Sequence, residues 1–381
     1  MNAALQAVFE RFMPAYLQHH RLSPDQGRIC AHIRDCRTDV LGGLQWQCGH
    51  CDYQQPRYHS CRDRHCPQCQ HRATRAWADK QQRAVLPVNY YHRVFTLPHA
   101  LNPWMAWHRA VIYRLLFQCT WDTLRQFARD PKRLDGQAGM TAVLHTWGQN
   151  LSRHVHLHCL VPGGVLTEAG HWHAARSNYL FPVKALSRCF RGKMVSALRQ
   201  AWTAGELSGV DTEEIDTVLD LLMAKDWVVY TKAWYRQADT VVSYLSRYSH
   251  KIALSDSRIK AIHGDRVSLH YKDYKRGGRH KTLSLSGEEL IRRFLQHVLP
   301  KGFMRIRHFG FLANRCRETK LAQIRRVLKV PVVNEENSGG KDDSMGKMLS
   351  PCAEVTRCPR CHQRQWRVVA EIAPQRRMKR R

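Results

Sequence analysis

The amino-acid sequence predicts an α+β fold, and three observations support this prediction. Apolar residues recur at helical spacing through the opening 4–16 segment. Adjacent apolar runs at 139–148 and 154–166 have the length and composition of neighbouring strands. Three further short strands are predicted over 258–285, where glycine-containing turns separate them.

Capping signals and apolar periodicity place the remaining elements in order. The second helix has its N-cap at Ser23, has Pro24 in its first turn and runs to about Cys36. The later helices are predicted at 104–128, 184–204, 212–225 with Thr212 as the cap, 240–254, and after the capping box Ser286-x-x-Glu289. The other strands are predicted at 90–98 and 227–234.

Composition divides the chain into four regions. A helical and metal-binding region is predicted at 1–85 and the main domain at 86–325. A linker at 326–350 precedes a basic tail at 351–381 that contains a CxxC pair. We find no apolar run long enough to span a membrane and no signal peptide, so we expect a cytoplasmic protein.

The positive charge indicates a polyanionic partner. Lys and Arg number 61 against 31 for Asp and Glu, which gives a formal net charge of +30. A compact fold with this charge repels itself unless an anion neutralises it. Because the basic residues run through the whole chain, we expect that anion to be nucleic acid.

The cysteine-rich block near the amino-terminus predicts zinc. Cys48-x-x-Cys51 and Cys66-x-x-Cys69 are separated by 14 residues, a spacing that allows both pairs to bind one tetrahedral ion. Further candidate ligands are Cys36, Cys61, His50, His59 and His65, which could form a second site or be ordinary buried thiols and surface imidazoles. Near the carboxyl-terminus, Cys358-x-x-Cys361 is half a site that Cys352 or His362 could complete.

Basic residues around this block predict a DNA-binding module. Arg62, Arg64 and Arg72 are the candidate contacts. The alternative is a purely structural zinc cap between two helices.

Three histidines alternate with apolar residues in one predicted strand. His154, His156 and His158 therefore share a face, while Val155 and its alternate neighbours point into the core. Neutral imidazoles in such a cluster are metal ligands, and adjacent members of the row bracket one ion most easily. We predict His156 and His158 as ligands, with His154 or the neighbouring strand's His145 as the third. Ligation near a phosphate suits Mg²⁺ or Mn²⁺ as a Lewis acid.

Two tyrosines four residues apart are candidate nucleophiles. Tyr244 and Tyr248 would lie on one face of the predicted helix over 240–254, although a buried aromatic stripe explains the same spacing. A phenolic oxygen becomes reactive when a metal polarises the phosphate and a base takes its proton. The basic residues expected to contact DNA nearby are Lys232, Arg247, Lys251 and Arg258.

These motifs together resemble the HUH single-strand nucleases, which are named for two histidines that flank a hydrophobic residue. Within them the chain is similar to the two-tyrosine transposases of the insertion sequence ninety-one family, over roughly residues 25–320. The resemblance rests on CRT at 36–38, SCRDRHCPQCQ at 60–70, VFTLP at 94–98, LHTWG at 144–148, HVHLHCLVPGG at 154–164, FPVKALSRCFRGK at 181–193 and YLSRYSHKIALSDSRI at 244–259.

The resemblance implies a bacterial, nucleoid-associated protein with an amino-terminal zinc-binding domain and a metal-dependent nuclease domain. The implied fold is a central antiparallel sheet backed by helices, with the histidine strand in the middle and the tyrosine helix across it. His156 and His158 match the metal pair, and Tyr244 and Tyr248 match the paired nucleophiles. The implied reaction nicks and transfers single-stranded DNA, including hairpin-bearing transposon ends, through 5′-phosphotyrosine intermediates in rolling-circle transposition.

Two alternative functions remain open at this point. A replication initiator or relaxase-like nickase would use the same chemistry, but no Walker A motif is present. A non-catalytic zinc-ribbon DNA-binding protein would leave the histidine strand without an explanation.

Overall fold

The structure is a computed structural model of the 381-residue chain. It describes residues 3–175, 181–234, 253–273, 277–330 and 357–375. Within these ranges the chain forms helices and antiparallel sheets, as the α+β prediction requires. No helix in the described ranges is long and apolar enough to cross a membrane.

The helices and strands are numbered separately along the chain. The helices are α1 (Ala4–His19), α2 (Pro24–Asp35), α3 (Pro67–Ala84), α4 (Trp104–Trp107), α5 (Arg109–Ala128), α6 (Val183–Thr203), α7 (Thr212–Met223), α8 (Gly287–Leu295) and α9 (Arg317–Val327). The strands are β1 (Gly43–Cys48), β2 (Gln54–Tyr58), β3 (Tyr90–Thr96), β4 (Gly139–Trp147), β5 (Arg153–Pro162), β6 (Gly164–Leu166), β7 (Trp172–Ala174), β8 (Val229–Trp234), β9 (Ile259–His263), β10 (Arg266–Asp273), β11 (Arg279–Ser286), β12 (Ile306–Gly310) and β13 (Trp366–Ile372).

Local signals gave most helix ends correctly. The Ser23 hydroxyl accepts from the Gln26 N–H, and the Gln26 side chain accepts from the Ser23 N–H, so α2 begins with a complete capping box. Two predictions were wrong in detail. The single helix over 104–128 is interrupted at His108, whose φ of −110° and ψ of 28° leave the helical region. Asp211, one residue before Thr212, caps α7 by accepting from the Glu214 N–H.

The central sheet is antiparallel and has the strand order β12-β4-β5-β3-β8. The histidine strand β5 is therefore in the middle, as the sequence resemblance implied. One face of the sheet packs against α5, α6 and α7 through a buried apolar core. Phe95, Leu144 and Leu157 contribute to this core from three neighbouring strands. The histidine side chains consequently lie on the opposite face.

A second core joins the amino-terminal helices to the strands and helix between residues 253 and 298. Phe9 of α1 and Ile29 of α2 are buried with Leu269 of β10 and Phe294 of α8. The rings of Phe9 and Phe294 meet edge to face, with centroids 5.6 Å apart. The amino-terminal helices therefore cover the layer formed by β9–β11 and α8.

The carboxyl-terminal segment belongs to the amino-terminal sheet. Residues 357–375 were expected as part of a basic tail, but their strand β13 pairs antiparallel with β1, in the order β13-β1-β2. The register runs from Gly43 opposite Ile372 to Cys48 opposite Trp366. The sequence could not give this pairing, because about 300 residues separate the two strands.

Candidate functional site

Strand register places the candidate metal ligands side by side on the face of the central sheet opposite the main core, where His145 and His158 are buried. His156 of β5 lies directly opposite His145 of β4. His158, two residues farther along the same strand, points to the same face. The ligand nitrogens of these three residues all lie within 4.8 Å of one another.

The distance between the two β5 imidazoles suits a shared ion. The Nε2 atoms of His156 and His158 are 3.0 Å apart. Two nitrogens that bind one metal ion at about 2.1 Å lie roughly 3 Å apart. The ring of His145 approaches the His158 ring edge to face, with centroids 4.5 Å apart. These three residues therefore fit one ion without large movements of the sheet.

Hydrogen bonds fix the orientation of both β5 rings. The Nδ1–H of His156 donates to the carbonyl oxygen of His154 at 2.9 Å, which leaves the Nε2 lone pair directed at the cluster. The Nδ1 of His158 lies 2.9 Å from the Nε2 of His92, a buried residue of β3. His92 therefore orients His158 from behind, as outer partners of metal-bound imidazoles do. No sequence motif marked His92 as a functional residue.

Burial keeps the imidazoles neutral. It lowers the pKa of His156 to about 4 and that of His158 well below its usual value, and neighbouring histidines add to both shifts. Burial also lowers the pKa of His92 to about 4, with a contribution from Lys232. At neutral pH the cluster therefore offers lone pairs, which is the form that metals bind.

A stack of side chains supports His145 from the side. Its ring stacks on Trp147 with centroids 4.4 Å apart. The guanidinium of Arg305 lies 5.3 Å from the Trp147 ring centroid and donates to the Leu144 carbonyl at 2.9 Å. Arg305 is buried, and burial lowers its pKa to about 9.

His154 lies at the edge of the cluster. Its ring centroid is 4.9 Å from that of His156 and 5.7 Å from that of His99. Its nitrogens are not among those that converge within 4.8 Å, whereas those of His145 are. The register between β4 and β5 thus makes His145 the nearer candidate for the third ligand.

Comparison with known proteins identifies the family. The family model described as a transposase zinc-binding domain matches residues 8–97, and the one described as a putative transposase matches residues 139–320. A putative transposase of Sinorhizobium fredii (strain NBRC 101917 / NGR234) is 40% identical over 369 residues, which cover 94% of this chain and 92% of that protein. The chain belongs to the insertion sequence ninety-one family of transposases.

A second relative agrees with this assignment. The transposase for insertion sequence element IS801 of Pseudomonas savastanoi pv. phaseolicola is 30% identical over 304 residues, covering 77% of this chain and 72% of that protein. Membership makes DNA the substrate of this transposase and DNA cleavage and strand transfer its activity. It favours transposition over the replication-initiator, relaxase and non-catalytic zinc-ribbon alternatives.

Within the residues that the structure describes, the transposase has two four-cysteine clusters, where the sequence predicted one zinc site and left a second one open. Cys48-x-x-Cys51 and Cys66-x-x-Cys69 were expected to share one ion, and this expectation was wrong. One cluster, called cluster A below, consists of Cys36, Cys61, Cys66 and Cys69. The other, called cluster B, consists of Cys48, Cys51, Cys358 and Cys361.

Cluster A has the dimensions of a tetrahedral thiolate site. Its Sγ atoms converge within 4.8 Å, and those of Cys36 and Cys61 each lie 3.6 Å from that of Cys69. Sulfurs bound to one zinc at about 2.3 Å lie about 3.8 Å apart. Together with the match to a transposase zinc-binding domain, this convergence supports structural zinc in the amino-terminal domain.

Asp63 connects cluster A to α2. Its N–H donates to the Cys61 Sγ at 3.5 Å, and its carboxylate accepts from Arg28, His32 and His65. Although burial alone would raise the pKa of Asp63, hydrogen bonds from His65 and His32 hold it well below its usual range. His65 is thus a hydrogen-bond partner of Asp63 and is not part of cluster A.

The predicted DNA contacts lie in different environments. Arg62 and Lys232 are exposed. Arg64 donates to the carbonyls of Phe303 and Pro300 and so connects the zinc-binding domain to the main domain. The guanidinium of Arg258 donates to three backbone carbonyls, those of Gln149, Ala253 and His270.

Several predicted site residues are not described by the structure. Tyr244, Tyr248, Arg247 and Lys251 lie outside the described residues, as does Cys352. Arg72 lies within α3, but its side chain is not described. Lys232 lies opposite His92 in the β3–β8 register and therefore on the histidine face of the sheet.

Proposed function

We propose that this transposase nicks and rejoins single-stranded DNA through 5′-phosphotyrosine intermediates during rolling-circle transposition. The observation that carries the proposal is the convergence of His145, His156 and His158 on the sheet face opposite the main core. A cluster of three imidazoles leaves further coordination positions for water or substrate, which is typical of catalytic metal sites. A scissile phosphate is a substrate that such a site can polarise.

The bound ion in this proposal is Mg²⁺ or Mn²⁺. His156 and His158 would hold it, with His145 as third ligand and His154 as the alternative. When bound, the ion would stabilise negative charge on the phosphate oxygens. His92 would hold the His158 ring in place, and Lys232, on the same face, would attract the DNA backbone.

Tyr244 and Tyr248 would be the nucleophiles. The phenolic oxygen of one tyrosine forms a bond to the phosphorus while the bond from phosphorus to the 3′ oxygen breaks. The phenolic proton passes to the departing oxygen, which becomes a 3′-hydroxyl. The phosphotyrosine bond retains the energy needed for rejoining, so no ATP is consumed. The second tyrosine would act on the other strand of the exchange.

Zinc in the amino-terminal domain would be structural. In our assignment cluster A binds one zinc ion, and Arg62 and Arg72 are proposed to contact the DNA. Single-stranded and hairpin-bearing transposon ends are the proposed substrates. Arg247, Lys251 and Arg258 are proposed to contact the DNA close to the tyrosines.

A covalent-adduct assay tests the proposal. End-labelled single-stranded DNA from a transposon end is incubated with the protein and Mg²⁺ and then boiled in detergent. We expect a labelled protein band that withstands boiling and does not form in EDTA. Tyr244→Phe and Tyr248→Phe should each impair a different step, and the double change should abolish the band.

The controls separate chemistry from binding. Tyr230→Phe, which changes an exposed tyrosine of β8, should leave the band unchanged. A band that survives the double change of Tyr244 and Tyr248 contradicts the nucleophile assignment. A band that forms equally well in EDTA contradicts the role of the metal.

A further inference from the structure

Cluster B brings together cysteines from opposite ends of the chain. The Sγ atoms of Cys48 and Cys361 are 3.5 Å apart, and those of Cys51 and Cys358 are 3.6 Å apart. All four ligand atoms lie within 4.8 Å of one another. These separations match the roughly 3.8 Å expected for sulfurs around one zinc ion and are far longer than the roughly 2.05 Å of a disulfide bond.

The two halves of cluster B have the same backbone shape. In each half the residue after the second cysteine has a left-handed backbone conformation, with a φ of 56° at Asp52 and 61° at His362. The N–H of that residue donates to the carbonyl of the first cysteine, at 3.2 Å from Asp52 and 2.9 Å from His362. The N–H of each first cysteine donates at 2.8 Å to the carbonyl five residues later, that of Tyr53 or Gln363.

This repeated shape is that of two matching metal knuckles. A tight turn places both thiols of a CxxC pair on one side, where they can share an ion with a second such turn. The Cys66–Cys69 pair of cluster A has a different shape, because Cys66 is the N-cap of α3. The similarity of the halves of cluster B is therefore not a general consequence of CxxC spacing.

The strand that leads into the first knuckle and the strand that follows the second form one ribbon. β13 pairs with β1 along its whole length, and the Gly49 N–H donates to the Gln365 carbonyl at 3.0 Å. The guanidinium of Arg57 on β2 lies between two indoles, 4.7 Å from the Trp46 ring centroid and 5.1 Å from that of Trp366. Each end of the chain supplies one of these indoles.

Apolar burial alone does not explain why β13 stays on this sheet. Among the described residues 357–375, only Cys358 is buried, and none belongs to a buried apolar cluster. A small three-stranded sheet without its own core usually needs a metal or a disulfide. The thiols that converge at its end are the group available for this purpose.

We propose that cluster B binds a second structural zinc ion and completes a zinc ribbon split between the two ends of the transposase. Cys48 and Cys51 supply one knuckle from within the amino-terminal zinc-binding domain. Cys358 and Cys361, outside the region that matches that domain, supply the other. Zinc therefore fastens the carboxyl-terminal segment to the amino-terminal domain. This inference is independent of the proposed nuclease mechanism.

Zinc stoichiometry is the first test. The purified full-length protein should contain two zinc ions per chain by elemental analysis. The double variant Cys358→Ser, Cys361→Ser should contain one, and Cys48→Ser, Cys51→Ser should lose the same ion. The control Cys189→Ser, outside both clusters, should retain two. Two ions in the Cys358/Cys361 variant, or one in the wild-type chain, would overturn the proposal.

Cleavage of the chain between the two knuckles tests the fastening itself and keeps all eight ligands. A specific protease site is inserted between Gly339 and Gly340, and the cleaved protein is run on a sizing column. With zinc present, the carboxyl-terminal fragment should co-elute with the rest of the chain. A chelator that removes zinc should release it. Separation while two zinc ions remain bound, or co-elution after complete zinc removal, would contradict the proposal.

Discussion

The cysteine clusters and the histidine cluster offer their donor atoms in different ways. Clusters A and B each present four thiols that converge on one another, and backbone N–H groups of Cys61 and Asp63 donate to sulfurs of cluster A. The histidine cluster presents three imidazoles on the face of a sheet whose other face is the main core. Four sulfurs close a tetrahedral site, whereas three imidazoles leave it open.

This difference indicates that the cysteine clusters serve folding stability and that the histidine cluster serves the reaction. A closed site contributes to folding, because its metal binds the folded chain and not the unfolded one. An open site needs its scaffold to be folded already, and β5 is supported on both sides by β3 and β4. Loss of a cysteine should therefore affect folding first, whereas loss of a histidine should affect the reaction first.

The largest effect should follow the substitution Cys66→Ser. Cys66 is fully buried in cluster A, and its loss removes one of the four proposed zinc ligands. Zinc binding in small domains contributes on the order of 10 kcal/mol, so we expect the amino-terminal domain to unfold and to lose its zinc. Thermal unfolding and elemental analysis measure both results.

The matched control is Cys30→Ser. Cys30 is buried in the same apolar core but lies outside both clusters. Its replacement should cost about 1–2 kcal/mol for burying a hydroxyl and should leave the zinc content unchanged. Equal zinc content in the Cys66 and Cys30 variants would mean that cluster A does not hold the metal.

The histidine substitutions should show a graded loss of cleavage in a stable protein. We expect His156→Ala to reduce the rate of adduct formation about 1000-fold, and His145→Ala about 100-fold, because a ligand is lost in each. His154→Ala should reduce it less than tenfold, since its ring lies outside the convergent group. Single-turnover rates at saturating Mg²⁺, with DNA affinity measured separately, provide the test.

Two outcomes would change this interpretation. A larger loss for His154→Ala than for His145→Ala would make His154 the third ligand. Unfolding of the His156 variant, measured by circular dichroism, would instead mean that the His156 ring is needed for the packing of the folded protein. DNA affinity should remain close to that of the wild-type protein in all three variants.

The smallest effect concerns the pH dependence of stability near His297. This residue is fully buried between Thr146 and the Leu151 carbonyl, and burial lowers its pKa to about 3. In the unfolded state the His297 imidazole has a pKa near 6.5, so it binds a proton more readily than in the folded state. The stability that its buried neutral form contributes is therefore complete above pH 6.5 and is lost as pH falls towards 3. The expected slope is about 1.4 kcal/mol per pH unit.

Urea unfolding at pH 7, 6 and 5 measures this slope. His297→Gln retains a polar side chain and removes the titrating group, so its free energy of unfolding should fall less steeply with decreasing pH. Identical slopes in the two proteins would show that His297 does not carry this dependence. His171→Gln, at an exposed position, is the matched control.

Local patterns predicted the elements, whereas long-range pairing decided the sites. The alternation at 154–159 correctly placed Val155, Leu157 and Cys159 in the core. It could not rank His145 against His154, because that order depends on the register between β4 and β5. The break at His108 could not be predicted, because residues 104–128 contain no proline or glycine.

The cysteine partners show the same limit more clearly. Spacing correctly marked Cys48 and Cys51 as a pair and Cys66 and Cys69 as another. It also suggested that these two pairs would bind one ion together. In the structure the Cys51 sulfur instead lies next to the sulfur of Cys358, 307 residues away. The available signal was the third CxxC pair, Cys358-x-x-Cys361 near the carboxyl-terminus, which has the same spacing as Cys48-x-x-Cys51.

The interleaved second core affects how these transposases can exchange parts. The apolar sides of α1 and α2 are covered by β9–β11 and α8, which come more than 200 residues later. A fragment that ends near residue 85 would leave Phe9 and Ile29 without that cover and would tend to aggregate. In a functional chimera between two relatives, α1 and α2 should therefore come from the same parent protein as β9–β11 and α8.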